Sequence, residues 1–262
     1  MKKKVASFLS IQQSVNNSST YYNKIKAKKG QIAILIDPEK SDNGSQLKSL
    51  LEKAEFSGVD FLLIGGSTVT KKEFEMTVDF IKSNSKLPLI IFPGGSHQLS
   101  EKADALLYLS LLSGRNPDYL IGHHVQSANE IYAMDLETIP TGYILIDGGT
   151  KSSVAYVSQT TPIPREQTSI AKNTAIAGVL QGKKMLYFDA GSGANHPVPL
   201  EIIKDVMFLE VPVIIGGGIR SISQVEELAS IGVNLIVIGN HVEENIDFLL
   251  DIKNYIQNDR VH

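Results

Sequence analysis

A chain of 262 residues with 42% hydrophobic content carries enough apolar side chains for a large core, yet it is short enough to be one barrel-sized domain. Its net charge of -3, without any long Lys/Arg block, argues against nucleic acid as the main partner, so a phosphorylated substrate needs local positive charge or a metal. Having no cysteine, it cannot form disulfides or thiolate metal sites, which fits a cytoplasmic protein.

The first residues, MKKKVASFLS, start basic, but the apolar stretch runs only from Val5 to Leu9 before the polar IQQSVNNSST. This reads as the solvated entry to a helix and not as a secretory signal. No apolar run approaches the roughly 20 residues of a transmembrane helix. Short aliphatic runs then recur: QIAILID ending at Asp37, DFLLIGG at Gly66, PLIIFPGG at Gly95 and ALLYLSLL at Leu112. The second half continues with GYILIDGG ending at Gly149, KMLYFDAG at Gly191, VPVIIGGG at Gly218 and NLIVIGN at Asn240. Most lack alternation, as strands buried on both faces do. The intervening segments carry helical periodicity; GSQLKSLLEKAEFSG and SISQVEELASIG each close on a glycine suited to a helix C-cap. Eight strands alternating with helices, in one composition regime, predict a (β/α)8 TIM barrel spanning residues 1–262 as a single domain. A doubly wound open sheet is the alternative.

In such a barrel the active groups stand at the C-terminal ends of the strands. Here those ends read DPEK, GGST, FPGG, DGGT, DAGSG, GGGIR and GNH. Glycine leaves backbone N–H groups unobstructed for an anion, or simply permits tight turns. The position of GGGIR and GN after strands seven and eight favours phosphate, because phosphate sites of this fold lie there. Asp37 at the end of strand one and Ser67 at the end of strand two are candidate Mg²⁺ ligands; the alternatives are a helix cap for either, or an ion pair of Asp37 with Lys40. Only SHQLSEKAD separates Gly95 from Ala105, too little for a full crossover with its helix, so an outer helix is expected to be truncated or missing there. That gap, beside the greasy ALLYLSLL, suits a long hydrocarbon, unless a partner subunit or the N-terminal segment fills it.

Taken together and in order, LIDPEK, IGGS, IIFPG, PTGYILIDGGTKSSVAYVSQTTPIP, YFDAGSGA, IIGGGIR and VIGN resemble geranylgeranylglyceryl phosphate synthases and the related heptaprenylglyceryl phosphate synthases, from about Gln31 to Asn240. The resemblance implies a prenyltransferase that alkylates sn-glycerol 1-phosphate with a long-chain prenyl diphosphate. It implies Mg²⁺ on Asp37 and Ser67, neutralising the departing diphosphate. It places glycerol phosphate against Tyr187, Phe188, Asp189, Ala190, Gly191, Ser192 and Gly193, with its phosphate on Gly217, Gly218, Gly239 and Asn240. A homo-oligomer is implied as well.

The family usually carries Glu where this chain has Asp189, the position of the presumed general base for the attacking hydroxyl. A base must come within about 2.6–3.2 Å of its proton, directly or through one water, so the lost methylene matters unless something compensates. Period-two alternation sends Tyr187 and Asp189 to the barrel mouth and Phe188 into the surrounding layer; Tyr187 reads equally as a glycerol-holding residue or a wall aromatic. His123, His124 and His196 lack a third metal ligand. Lys40, Lys151, Arg165 and Arg220 lie near strand exits, where they reach a diphosphate or stay solvated. Two other readings share parts of this pattern: a phosphate-binding barrel enzyme acting on another small metabolite, and a non-catalytic polyprenyl or lipid-phosphate binder.

Overall fold

The computed structural model describes residues 20–41 and 44–259; the expected helix entry at MKKKVASFLS lies outside the described residues. The chain begins with α1 (Thr20–Ala27), β1 (Gln31–Ile36), α2 (Ser45–Ser57), β2 (Phe61–Ile64), α3 (Lys71–Asn84), β3 (Leu89–Ile91) and β4 (Ala105–Leu111). A π-helical turn, Asp118–Gly122, leads into α4 (His123–Ala133), followed by β5 (Glu137–Leu145), α5 (Ser153–Val157), α6 (Thr168–Leu180) and β6 (Met185–Asp189). The last part carries α7 (Leu200–Lys204), β7 (Val213–Gly216), α8 (Ile222–Ile231), β8 (Leu235–Ile238), α9 (Asn240–Glu244) and α10 (Phe248–Asp259). The eight strands are all parallel and close in sequence order, β8 pairing with β1, which gives the expected TIM barrel and not an open sheet.

The local signals explain the elements. Ser221 caps α8 by accepting the Gln224 N–H, and the Gln224 side chain returns the contact, a reciprocal capping box; Thr70 and Glu73 do the same for α3. The strands stop short of the glycines that follow them, so Asp37, Gly66, Gly95 and Gly218 sit just beyond strand ends. β5 is the exception at its other end, starting at Glu137 and not at Gly142. Pro140 looks like a breaker, but its carbonyl still accepts the Lys184 N–H at 2.8 Å, so the ladder with β6 survives the missing donor.

Two apolar shells result. Inward residues, among them Phe61, Leu63, Leu107, Tyr143 and Tyr187, fill the barrel, while Phe188, Ile215 and Ile236 face the helices. Phe188 points outward and Tyr187 inward, as period two demands. Helix α1 closes the barrel floor: Ile25 joins the interior cluster, and the Glu137 carboxylate accepts the Tyr21 and Tyr22 backbone N–H groups at 2.8 Å each. No helix lies between β3 and β4, as the short segment implied. Among the described residues no helix is long and apolar enough to cross a membrane.

Candidate active site

Asp189 ends β6 with its side chain directed inward and only 8% exposed. Strand register sets its surroundings: Leu145 lies beside it on β5, and one inward layer lower Tyr143 pairs with Tyr187. From there the Tyr143 hydroxyl reaches up and donates to Asp189 Oδ2 at 2.7 Å, while the Gly191 N–H donates to Oδ1 at 2.7 Å. Burial pushes the Asp189 carboxyl above its ordinary value, and the two donors oppose that rise. Burial, with the nearby Asp189 charge, holds both phenols well above theirs, so Tyr143 and Tyr187 keep their protons. Phe92, from the end of β3, stacks on Tyr187 at 4.9 Å and meets Tyr143 edge-on at 5.6 Å. The result is a carboxylate on an aromatic floor, in a setting that favours proton acceptance.

Above this floor lies the glycine rim. Gly217 adopts φ +79°, and a Cβ there would stand 2.6 Å from Asp189 Oδ1 and 2.8 Å from the Ala190 and Gly191 nitrogens. The rim backbone therefore runs against the carboxylate, an approach open only to glycine. Gly218, Arg220, Gly239 and Asn240 line the same cavity, with Gly191, Ser192 and Gly193 facing them. Ser192 Oγ donates to Asn240 Oδ1 at 2.9 Å, linking the turn after β6 to the start of α9.

The ends of β1 and β2 bring Asp37 and Ser67 to the mouth, next to the part of the rim that follows β8. Asp37 Oδ1 lies against Gly66, where a Cβ would come within 2.6 Å of it. Lys40 Nζ stands 3.9 Å from Asp37 and 3.4 Å from Glu243, a carboxylate on α9. Burial raises both carboxyls above their ordinary values; Lys40 opposes this, and the Asp37 charge adds to the rise at Glu243. Two partly buried carboxylates sharing one ammonium, next to a hydroxyl, make a hard-oxygen, cation-seeking corner whose chemistry fits Mg²⁺.

From the mouth the cavity continues outward through the gap left by the missing helix. Leu99, Leu106, Tyr108, Tyr119, Ser127 and Ile131 line this arm, which is mainly apolar. His123 and His124 also face it, and His123 Nδ1 and His124 Nε2 are buried without a hydrogen-bond partner. Burial, then the Lys183 charge, lowers the His124 pKa, favouring the neutral ring. No group of three His, Cys, Asp or Glu able to hold a metal occurs among the described residues.

One cavity thus brings together Asp37, Ser67, Tyr187, Asp189, Gly191, Ser192, Gly193, Gly217, Gly218, Gly239 and Asn240. Two residues of the implied glycerol phosphate set do not line it: the Phe188 side chain packs between strands and helices, and Ala190 belongs to that same outer shell. Strand alternation sends Phe188 outward, and the turn that follows β6 does the same for Ala190. Lys40 and Arg220 line the cavity; Lys151 is exposed elsewhere, and Arg165 is spent on the Asp147 and Pro197 carbonyls. His196 abuts Gly149 and Gly218 and takes no place in the lining. Sequence reasoning passed over Tyr143, Phe92 and Glu243. The signal for Tyr143 was period two along β5, which puts it on the same inward face as Leu145.

Known proteins share this sequence pattern and this fold. The chain is 45% identical to the geranylgeranylglyceryl phosphate synthase of Zunongwangia profunda over 221 residues, 83% of this chain and 93% of that protein. It is likewise 45% identical to the geranylgeranylglyceryl phosphate synthase of Flavobacterium johnsoniae over 228 residues, 86% and 93% of the two chains. The crystal structure of (S)-3-O-geranylgeranylglyceryl phosphate synthase from Thermoplasma acidophilum, in complex with substrate sn-glycerol-1-phosphate, matches with a TM-score of 0.81 at 33% identity, covering 90% of this chain and 94% of that one. The PcrB family pattern spans residues 23–255, nearly the whole described fold, and with these relatives the chain belongs to the PcrB family.

Proposed function

We propose that the protein is a prenyltransferase that alkylates the free hydroxyl of sn-glycerol 1-phosphate with a long-chain prenyl diphosphate, geranylgeranyl diphosphate being the expected donor. An ether forms and diphosphate leaves. The observation that carries this reading is a single cavity joining a buried carboxylate, a glycine rim and an apolar arm, which suits a small phosphate and a long hydrocarbon meeting at one point.

In this reading the phosphate of glycerol 1-phosphate takes backbone N–H groups around Gly217, Gly218 and Gly239, with Arg220 adding positive charge. Tyr187, kept protonated, orients the glycerol from below. Asp189 receives the proton of the attacking hydroxyl, and its burial, by raising its proton affinity, suits that task. The prenyl chain lies in the arm along Leu106 and Tyr108, which keeps water from the allylic carbon. Asp37 and Ser67 would hold Mg²⁺, with Glu243 close by; when bound, the metal supplies charge neutralisation for the leaving diphosphate. Lys40, now shared by Asp37 and Glu243, is positioned to face the same diphosphate.

Incubation with Mg²⁺, radiolabelled sn-glycerol 1-phosphate and prenyl diphosphates of several lengths tests the proposal. Label should pass into the organic extract with a long-chain donor. Label that stays in the aqueous phase with every donor length refutes it.

A further inference from the structure

In the prenyl-transfer reading the acid that acts as base is Asp189, at the end of β6. Both of its oxygens are already engaged: Oδ1 accepts from the Gly191 N–H, and Oδ2 from the Tyr143 hydroxyl, each at 2.7 Å. The carboxylate is 8% exposed and Tyr143 4%, so the two sit low in the floor, yet both line the cavity. A phenol that donates its one proton keeps lone pairs free to accept another. Because Tyr143 lines the cavity, its Oη can accept a proton from a hydroxyl bound there while it donates its own to the aspartate.

We propose that Tyr143 is a catalytic residue that relays the proton of the glycerol hydroxyl to Asp189. The inference rests on the prenyl-transfer reading given above. As the glycerol oxygen bonds to the allylic carbon, the bond from that carbon to diphosphate breaks, and its electron pair leaves with the diphosphate. The hydroxyl proton passes to Tyr143 Oη while the phenolic proton passes to Asp189 Oδ2. Tyr143 ends neutral, Asp189 ends as the carboxylic acid, and no other reactant is required. The phenol never persists as a phenolate, which fits the strong resistance of this buried tyrosine to ionisation. The aromatic contacts to Phe92 and Tyr187 hold the ring in place, so the relay is preorganised and not formed on demand.

The test is a four-enzyme cycle: the wild type, Tyr143→Phe, Asp189→Glu and the double variant, each measured in single turnover with sn-glycerol 1-phosphate and geranylgeranyl diphosphate. Tyr143→Phe should slow the wild type about 10²-fold, the scale of losing an acid–base step. In the Asp189→Glu background the same change should cost less than about 5-fold, because the longer acid reaches the hydroxyl unaided. Affinity for sn-glycerol 1-phosphate, read by calorimetry, should change little across the cycle. Equal losses in the two backgrounds overturn the relay and leave prenyl transfer intact. A wild type that makes no ether product overturns the reading and the relay together. Should Tyr143→Phe not fold, a proton inventory on the wild type in mixed H₂O and D₂O needs no variant: a curved plot, with two protons in flight, supports the relay, and a straight line overturns it.

Discussion

Replacing Gly217 with Ala probes the point where rim and carboxylate meet. The backbone there has φ +79°, which costs a residue with a Cβ about 1–2 kcal/mol. The new methyl would also stand 2.6 Å from Asp189 Oδ1 and 2.8 Å from two backbone nitrogens, so something must move. The carboxylate is the freest of these, and moving it strains the Gly191 N–H contact, a charge-assisted hydrogen bond worth roughly 1.5–3 kcal/mol. The sum, about 2.5–5 kcal/mol, lowers Tm by about 5–20 °C in a chain of this size. A carboxylate displaced by even 1 Å lowers kcat by about 10²-fold, and the obstructed rim raises KM for glycerol phosphate as well. Gly182→Ala separates strain from clash: its φ is +86°, but nothing lies within 4 Å of the position, so Tm should fall by a few degrees with unchanged kinetics. Calorimetric melting and steady-state kinetics on the two variants check this. If Gly217→Ala keeps wild-type kcat and KM, the rim glycines are turn residues only.

The other predictions address separate parts of the site. Asp37→Asn should remove most turnover at limiting Mg²⁺ while sn-glycerol 1-phosphate still binds, because the rim after β6, β7 and β8 is built without Asp37; unchanged turnover would discard the metal assignment. Asp189→Asn should lower kcat about 10²-fold or more, Asp189→Glu should hold or raise it, and Tyr187→Phe should act mainly on glycerol phosphate KM, all readable in one kinetic series. The raised pKa of Asp189 keeps its acid form to higher pH, so the acid limb of the kcat/KM profile, which reports the free enzyme, should lie above the ordinary aspartate value of about 3.9; a limb below that value contradicts the assignment. The same shift makes its contribution to stability greatest below about pH 3.9 and lost as pH rises through the raised value. Ser221→Ala removes the α8 cap and should cost about 1 kcal/mol, a fall of about 2–4 °C in Tm with activity unchanged.

The barrel was legible because its strands are buried on both faces and therefore read as apolar runs, each closed by glycine or a cap. Asp37, Ser67, Asp189 and the rim glycines were legible because they follow directly on those runs. Tyr143 was not, since its role depends on the β5 to β6 register, which places its hydroxyl under a carboxylate one layer higher. Glu243 was hidden for a similar reason: it reaches Asp37 only because closure of the barrel puts β8 beside β1. Helix α1 as a floor was equally out of reach, because the Glu137 cap and the seat of Ile25 are contacts between segments far apart in sequence. Phe188 and Ala190 belong to the same contiguous motif as Tyr187 and Asp189 but pack in the outer shell, a difference set by strand alternation and the turn after β6.

The central claim is that the glycerol hydroxyl, and not water, takes the prenyl group in this cavity. Quenched single-turnover reactions that count diphosphate released and ether product formed test it most directly. The account predicts one diphosphate per ether, with no release when sn-glycerol 1-phosphate is omitted. Diphosphate released at the same rate without it, as prenol accumulates, would contradict the account.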